Sequence, residues 1–398
     1  MNGVKKITDK IYWIGGSDRR LHRFENIFPI PEGVSYNSYF IDDEKTAVFD
    51  TADVTVAEQY LENLKEALGG RKLDYLVVLH MEPDHCSQID KVTALFPDVT
   101  VVASKQAFVF MSQFFPEAAG FNKLEVKEGD TLSTGEHTFS FVAAPMVHWP
   151  EVLFAYDAKD KALLSADAFG TFGALDGGIF ADEYDFEKDF LDSARRYYSN
   201  IVGKYGAQVQ AVLGKAKGLD IQMILPLHGP VWRKDLNVLL EKYQKWSTYE
   251  SEQDGAIVVY GSLYGHTASA AEAVASALRD RGVQGVRVYD VSGTDVSYLI
   301  SEVWRVGKIV LMCPTYNGGI YPPMDNFIHD MAALSVQNRV FALAQNGTWA
   351  PATAKPMAER LSALKNVTVL ETVLTIKSAL HASDAEALNN FADAVVKA

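Results

Sequence analysis

Short apolar runs separated by polar loops fill the first half of the chain. Residues 35–41 and 46–49 carry the β-branched and aromatic side chains of strands. From 56 to 68 the apolar spacing is helical, and Gly69-Gly70 ends that helix, because glycine readily takes the left-handed backbone that follows a last turn. Residues 75–79 form a continuous apolar run of the length of a strand buried on both faces, and the run delivers His80 to its C-terminal end. Runs at 139–143, 152–156, 162–164 and 223–225 each lead toward a loop with a His or an Asp. Strands mixed with helices in this way predict two sheets sandwiched by helices.

A charge-rich helical stretch at 236–249 is followed by the polar segment 250–255, where the pattern changes, so the expected domains are 1–250 and 254–398. Beyond it, strands at 256–260, 286–289, 309–312 and 340–344 are interleaved with helices at 267–280, 296–303, 350–364 and from 384 onward. That alternation predicts an α/β unit with a doubly wound parallel sheet.

A length of 398 residues fits two cores better than one. The formal charge of −14 argues against a nucleic-acid partner, which needs clustered Lys and Arg. No apolar run is long enough to span a bilayer and the first ten residues lack a secretory pattern, so no membrane association and a cytoplasmic location are expected. The two cysteines, Cys86 and Cys313, fall one in each half and read as small buried thiols. Two cysteines cannot build a Cys-ligated iron centre or cluster, so any metal here is held by His, Asp and Glu.

Such residues are concentrated in His80-Met81-Glu82-Pro83-Asp84-His85, four potential ligands in six positions directly after a buried strand. Crowded carboxylates repel one another and buried imidazoles need partners, and a cation satisfies both. His148, Asp167 and His228 follow at the ends of later apolar runs. Together they resemble the metallo-β-lactamase superfamily signature His-x-His-x-Asp-His plus a distant His, Asp and His. One departure matters: the second His of that signature is Glu82 here, a form that resembles the flavodiiron proteins. The resemblance implies an N-terminal metallo-β-lactamase-like αβ/βα sandwich with two iron ions. It implies that His80, Glu82 and His148 bind one metal, that Asp84, His85 and His228 bind the other, and that Asp167 bridges them. Replacing a neutral imidazole by a carboxylate adds a hard anionic donor, which suits iron, although the ligand set alone also admits zinc or manganese.

A second constellation begins after the strand at 256–260, in Gly261-Ser262-Leu263-Tyr264-Gly265-His266-Thr267 before an alanine-rich helix. Hydroxyls and free N–H groups at a helix N-terminus make a phosphate cradle. It has neither the Lys of a Walker loop nor a Gly-x-Gly-x-x-Gly pattern. Two further loops, Pro314-Thr315-Tyr316-Asn317-Gly318-Gly319 and Asn346-Gly347-Thr348-Trp349, fall at the C-terminal ends of neighbouring strands, where open α/β sheets bind ligands. Tyr316 or Trp349 can stack on a flat ring. The three loops together resemble the FMN loops of flavodoxins, which implies FMN as the second cofactor. His266 is read as pointing outward from this loop, and His137, His329 and His381 as surface residues; His22 reads as a surface residue or as a donor near the metals, and Tyr197 as packing on a helix face or as reaching a metal-bound ligand. Trp149 reads equally as a wall of the metal pocket or as core.

The flavodiiron resemblance implies that FMN relays electrons to the metals, which reduce O2 to water or NO to N2O, with the preference between the gases left open. It implies a separate donor such as rubredoxin, since two cysteines exclude a built-in one. It also implies a head-to-tail homodimer, or a dimer of dimers, that brings the FMN of one subunit beside the metals of the other. Two other readings remain: a dizinc hydrolase with a flavodoxin appendage, and an electron carrier whose metal half is structural.

Overall fold

The apolar runs of the first half pair into two sheets. In the seven-stranded sheet, Lys5–Lys6, Ile11–Trp13, Tyr39–Asp42 and Thr46–Phe49 run antiparallel, and Tyr75–Val78, Thr100–Ala103 and Asn122–Glu125 continue it in parallel. The second sheet joins Thr131–Ser133, Thr138–Ala143, Leu153–Asp157, Ala162–Leu164 and Met223–Leu225, the last pair in parallel. Both sheets contribute to one core, with Phe49 of the first 4.7 Å from Phe139 of the second between ring centroids. The helix Ala57–Leu68 buries Tyr60, Leu64 and Leu68, one face at a spacing of four, and ends at Gly69 with φ 56°. This computed structural model describes residues 3–398, in which contacts group residues 3–198 with Tyr205–Tyr243, and Ser199–Lys204 with Gln244–Ala398. No helix among the described residues is long and apolar enough to cross a membrane.

The run 35–41 is not one strand. Val34–Tyr36 pairs with Gly16–Asp18, whereas Tyr39–Asp42 enters the large sheet. Asn37 and Ser38 break the run because their side chains bond elsewhere. Asn37 accepts from Trp13 Nε1 and donates to the carbonyls of Pro226 and Gly229, and Ser38 donates to the carbonyl of Asp50. His137, expected at the surface, is fully buried. Its Nδ1 lies 2.8 Å from Asp157 Oδ2 and its backbone N–H donates to Asp43, so it staples two hairpin turns together. The strand register sets Phe139 opposite Asp157, a neighbourhood that spacing along the chain does not reveal.

The second unit is a parallel sheet in the spatial order Arg287–Asp290, Gln253–Tyr260, Val306–Pro314, Val340–Asn346, with the short strands Thr368–Val369 and Leu374–Ile376 both pairing to the last. Its first strand has later strands on both sides, so a crevice opens at the C-terminal ends where the winding reverses. The helix His266–Asp280 packs Ala270, Ala271, Val274 and Leu278 into the core beside Val258 and Val310, small residues allowing close approach to the sheet. A helix at Pro322–Ala333 was not expected from periodicity, although its two leading prolines suit a first turn. Both cysteines are buried and unbridged.

Candidate metal centre and cofactor cavity

Four loops at strand ends in the first unit converge. Tyr75–Val78 leads to His80, Ala162–Leu164 to Asp167, Met223–Leu225 to His228, and the connection from Thr138–Ala143 to Leu153–Asp157 carries His148. The junction is tied by Leu153 N donating to the carbonyl of Leu79. Glu82 precedes the one-turn helix Pro83–Cys86, which turns Asp84 and His85 toward the same point.

The seven candidate ligands form two adjoining groups: His80, Glu82, His148 and Asp167 in one, and Asp84, His85 and His228 in the other. In the first, His148 Nε2 is 2.9 Å from Glu82 Oε2 and 3.1 Å from Asp167 Oδ2, and His80 Nε2 is 3.3 Å from Glu82 Oε2. In the second, His85 Nε2 is 3.1 Å from His228 Nε2 and 3.3 Å from Asp84 Oδ2, and His228 Nε2 is 3.2 Å from Asp84 Oδ2. Asp167 presents one oxygen to each: Oδ2 to His148, and Oδ1 to His85 at 2.9 Å. Two donors bonded at about 2.1 Å to one ion lie roughly 3.0 Å apart at a right angle and roughly 3.4 Å apart at the tetrahedral angle. The separations here match such edges.

Electrostatics point the same way. Burial opposes charge on His85 and His148, yet Asp84 and Asp167 beside the first, and Asp167 and Glu82 beside the second, hold both imidazoles at about 9. Burial would raise Glu82 and Asp167, but the neighbouring histidines hold both carboxyls well below the usual range. Asp84 Oδ1 and His85 Nδ1 are buried with no hydrogen-bond partner among the described residues. Polar atoms enclosed in this way are costly, and cations among the donors relieve that cost. Three carboxylates among seven donors fit two divalent or trivalent ions.

In the second unit the three sequence-marked loops line a cavity of about 560 Å³. Ser262, Leu263, Tyr264, His266 and Thr267 line it from the first loop, Pro314, Thr315, Tyr316, Asn317 and Gly318 from the second, and Asn346, Gly347, Thr348 and Trp349 from the third. Gly265 and Gly319 shape the loops and do not line the cavity. Gly265, at φ 92°, donates its N–H to Ser262 Oγ, and Gly319 closes a turn with Tyr316. Ser378, Ala350 and Ala352, unmarked in sequence, complete the wall. The helix His266–Asp280 begins without a side-chain cap, leaving its first turn open to an anion. Tyr264 and Trp349 are each 91% exposed at the rim, aromatic faces held ready for a flat ring. His266 is exposed as expected, yet it borders the cavity.

Residues 34–229 match the model of the ODP family of β-lactamases, and residues 258–389 match the flavodoxin model. The nitric oxide reductase of Moorella thermoacetica is 31% identical to this chain, over 93% of this chain and 92% of that protein. The crystal structure of the flavodiiron protein from Giardia intestinalis superposes with a TM-score of 0.93 at 26% identity, covering 100% of this chain and 98% of that one. The rubredoxin oxygen:oxidoreductase of Desulfovibrio gigas superposes with a TM-score of 0.92 at 26% identity, covering 99% and 98%. The chain belongs to the flavodiiron protein family.

In this flavodiiron protein several side chains near the ligands escaped the sequence reading. Glu151 Oε1 accepts from His80 Nδ1 and Met81 N, both at 2.8 Å. Asp50, at φ 53°, accepts from the backbone of Leu79 and His80, and burial raises its carboxyl to about 7. Glu25 is exposed as a residue, but its carboxyl reaches in toward Glu82. Loss of water there, with the charges of Glu82 and Asp84, raises it to about 8. None of the three stands in a sequence pattern that marks it. Tyr197 packs its ring 5.5 Å from that of His228, with its hydroxyl buried. Trp149 stands edge-on 5.5 Å from His80 and walls the pocket, while His22 is exposed.

Proposed function

We propose that this flavodiiron protein is an oxidoreductase that reduces O2 to water, NO to N2O, or both, at a pair of non-haem iron ions fed by FMN. The observation that carries this reading is Asp167, whose two oxygens face two separate donor groups. A carboxylate shared in this way would set two ions as neighbours, as a reaction joining two NO molecules, or delivering several electrons to one O2, requires. Bound at these positions, iron supplies redox electrons and FMN delivers them one at a time.

The chain's own residues do the rest. His80, Glu82 and His148 would hold one ion, and Asp84, His85 and His228 the other. Glu151 and the Ser35 carbonyl orient His80 and His228 through their Nδ1 atoms, at 2.8 Å and 2.7 Å. Trp149 and Tyr197 limit the water that reaches the pocket. Glu25, whose carboxyl is raised by loss of water and by the charge of Glu82, reaches toward Glu82 as a proton-bearing group at the edge of the pocket. In the second unit Ser262 and Thr267 would take the phosphate, and Tyr264, Tyr316 and Trp349 would border the ring. A separate donor of rubredoxin type and a homodimer acting as the working unit belong to the same reading.

The test is anaerobic. Iron and flavin are counted in the full chain, and the reduced protein is mixed with each gas while gas uptake and N2O are followed. Two irons and one FMN per chain with fast consumption of either gas support the reading. Two zinc ions with ester or thioester hydrolysis overturn it in favour of a hydrolase.

A further inference from the structure

The two halves of the metal centre are built from similar donors, yet they are backed differently. His80 Nδ1 faces a carboxylate, Glu151 Oε1, at 2.8 Å, and both side chains are wholly enclosed. His228 Nδ1 faces a neutral backbone carbonyl, that of Ser35. His85 Nδ1 is buried with no partner among the described residues. Glu151 also accepts from the N–H of Met81, which pins its headgroup, while its other oxygen, Oε2, is buried and unpartnered among the described residues. No lysine or arginine pairs with it among those residues. A buried carboxylate with so little compensation is costly unless it sits beside positive charge, and its one such neighbour is the imidazole side of the metal centre.

The consequence for His80 is twofold. A carboxylate at Nδ1 fixes the tautomer, with the proton on Nδ1 and the Nε2 lone pair directed to the metal position. It also draws on that proton, so that Nε2 becomes a stronger donor than an imidazole backed by a carbonyl. Glu82 and Asp84 contribute one carboxylate to each half and Asp167 is shared, so among the donors and the groups that face their Nδ1 atoms the halves differ by the carboxylate of Glu151.

We propose that Glu151 is a positioning residue that makes the two metal positions unequal. The ion at His80, Glu82 and His148 is held more tightly and has the lower reduction potential. The ion at Asp84, His85 and His228 leaves first and is reduced first. This rests on the diiron reading above.

The experiment withdraws iron stepwise from the iron-loaded full chain with a ferrous chelator, counting iron at each step, and poises the protein at intermediate potentials for Mössbauer spectra. The wild type is expected to release iron in two resolved steps, with one iron site oxidised and one reduced at half-reduction. H228N should keep only the tight step, and H80N only the loose one. E151Q retains an acceptor for the Nδ1 proton but loses the charge. Its tight step should weaken about tenfold, within the roughly 10- to 100-fold typical of such partners, and its loose step should stay in place. E151D, which keeps the charge, should recover part of the difference. Equal release of both irons from the wild type overturns the inference whatever the variants do, as does an E151Q protein whose two steps shift together. A wild type that cannot hold two irons would instead overturn the diiron reading.

Discussion

The Nε2 atoms of His85 and His228 lie 3.1 Å apart inside a fully buried pocket. Neither can satisfy the other as a lone pair, and Asp84 Oδ2 stands within 3.3 Å of both. Three convergent donors describe the edges of a coordination polyhedron. Replacing His228 with Asn should reduce bound iron from two per chain to about one, while Asp167→Asn, which removes the shared charge, should reduce it below one. Metal analysis after gel filtration checks this, and an Asp167→Asn protein still carrying two irons would sink the bridging role.

Thr267 Oγ1 accepts a hydrogen bond from Asn346 Nδ2 at 3.1 Å, which leaves its own hydroxyl hydrogen free to donate into the cavity. Asn346 is in turn held by Ser378 through two backbone contacts. A hydrogen bond to a charged group is worth about 1.5–3 kcal/mol, so Thr267→Val should weaken FMN binding roughly ten- to hundredfold. Riboflavin, which lacks the phosphate, should bind both proteins alike. Fluorescence titration of the flavin-free protein distinguishes the outcomes, and equal losses for the two flavins would refute the assignment.

Burial by itself lowers the pKa of His137, but the Asp157 carboxylate raises it above the ordinary value, and the partner wins. A folded value above the unfolded one, about 6.5, means that stabilisation is complete below that unfolded value and fades as pH rises through the folded value. His137→Gln should therefore cost most near pH 6 and least near pH 9. Urea midpoints of the two proteins across that range provide the comparison, and a pH-independent gap would contradict it.

Gly229 sits at φ 77°, and a Cβ there would lie 2.1 Å from Thr171 Cγ2. Left-handed backbone costs an alanine about 1–2 kcal/mol and the clash adds to it, so Gly229→Ala should destabilise the first unit by roughly 2–4 kcal/mol. Because His228 is the preceding residue, iron content should fall as well. A calorimetric scan with metal analysis tests both, and a variant of unchanged melting point would show that the loop yields freely.

The sequence made the candidate donors that converge here legible because their chemistry is dense and each ends an apolar run; His80 through His85 needed no tertiary knowledge. The phosphate loop was legible for the same reason, a helix start with hydroxyls and glycine in a fixed order. Glu151, Glu25 and Asp50 were not, because a lone carboxylate becomes meaningful only through the group it faces. His137 was misjudged because its partner lies 20 residues away across a hairpin. The run 35–41 was misjudged because Asn37 serves the loop at residues 226–229, a contact that no periodicity encodes.

The donors are divided between the layers of the sandwich. His80 and the residues after it extend from the seven-stranded sheet, and His148, Asp167 and His228 from the five-stranded one. Ions bound by these donors would therefore act as rivets, and the layers could not part without letting them go. A cell short of iron would make a chain whose halves breathe more often, and its proteases would remove it sooner.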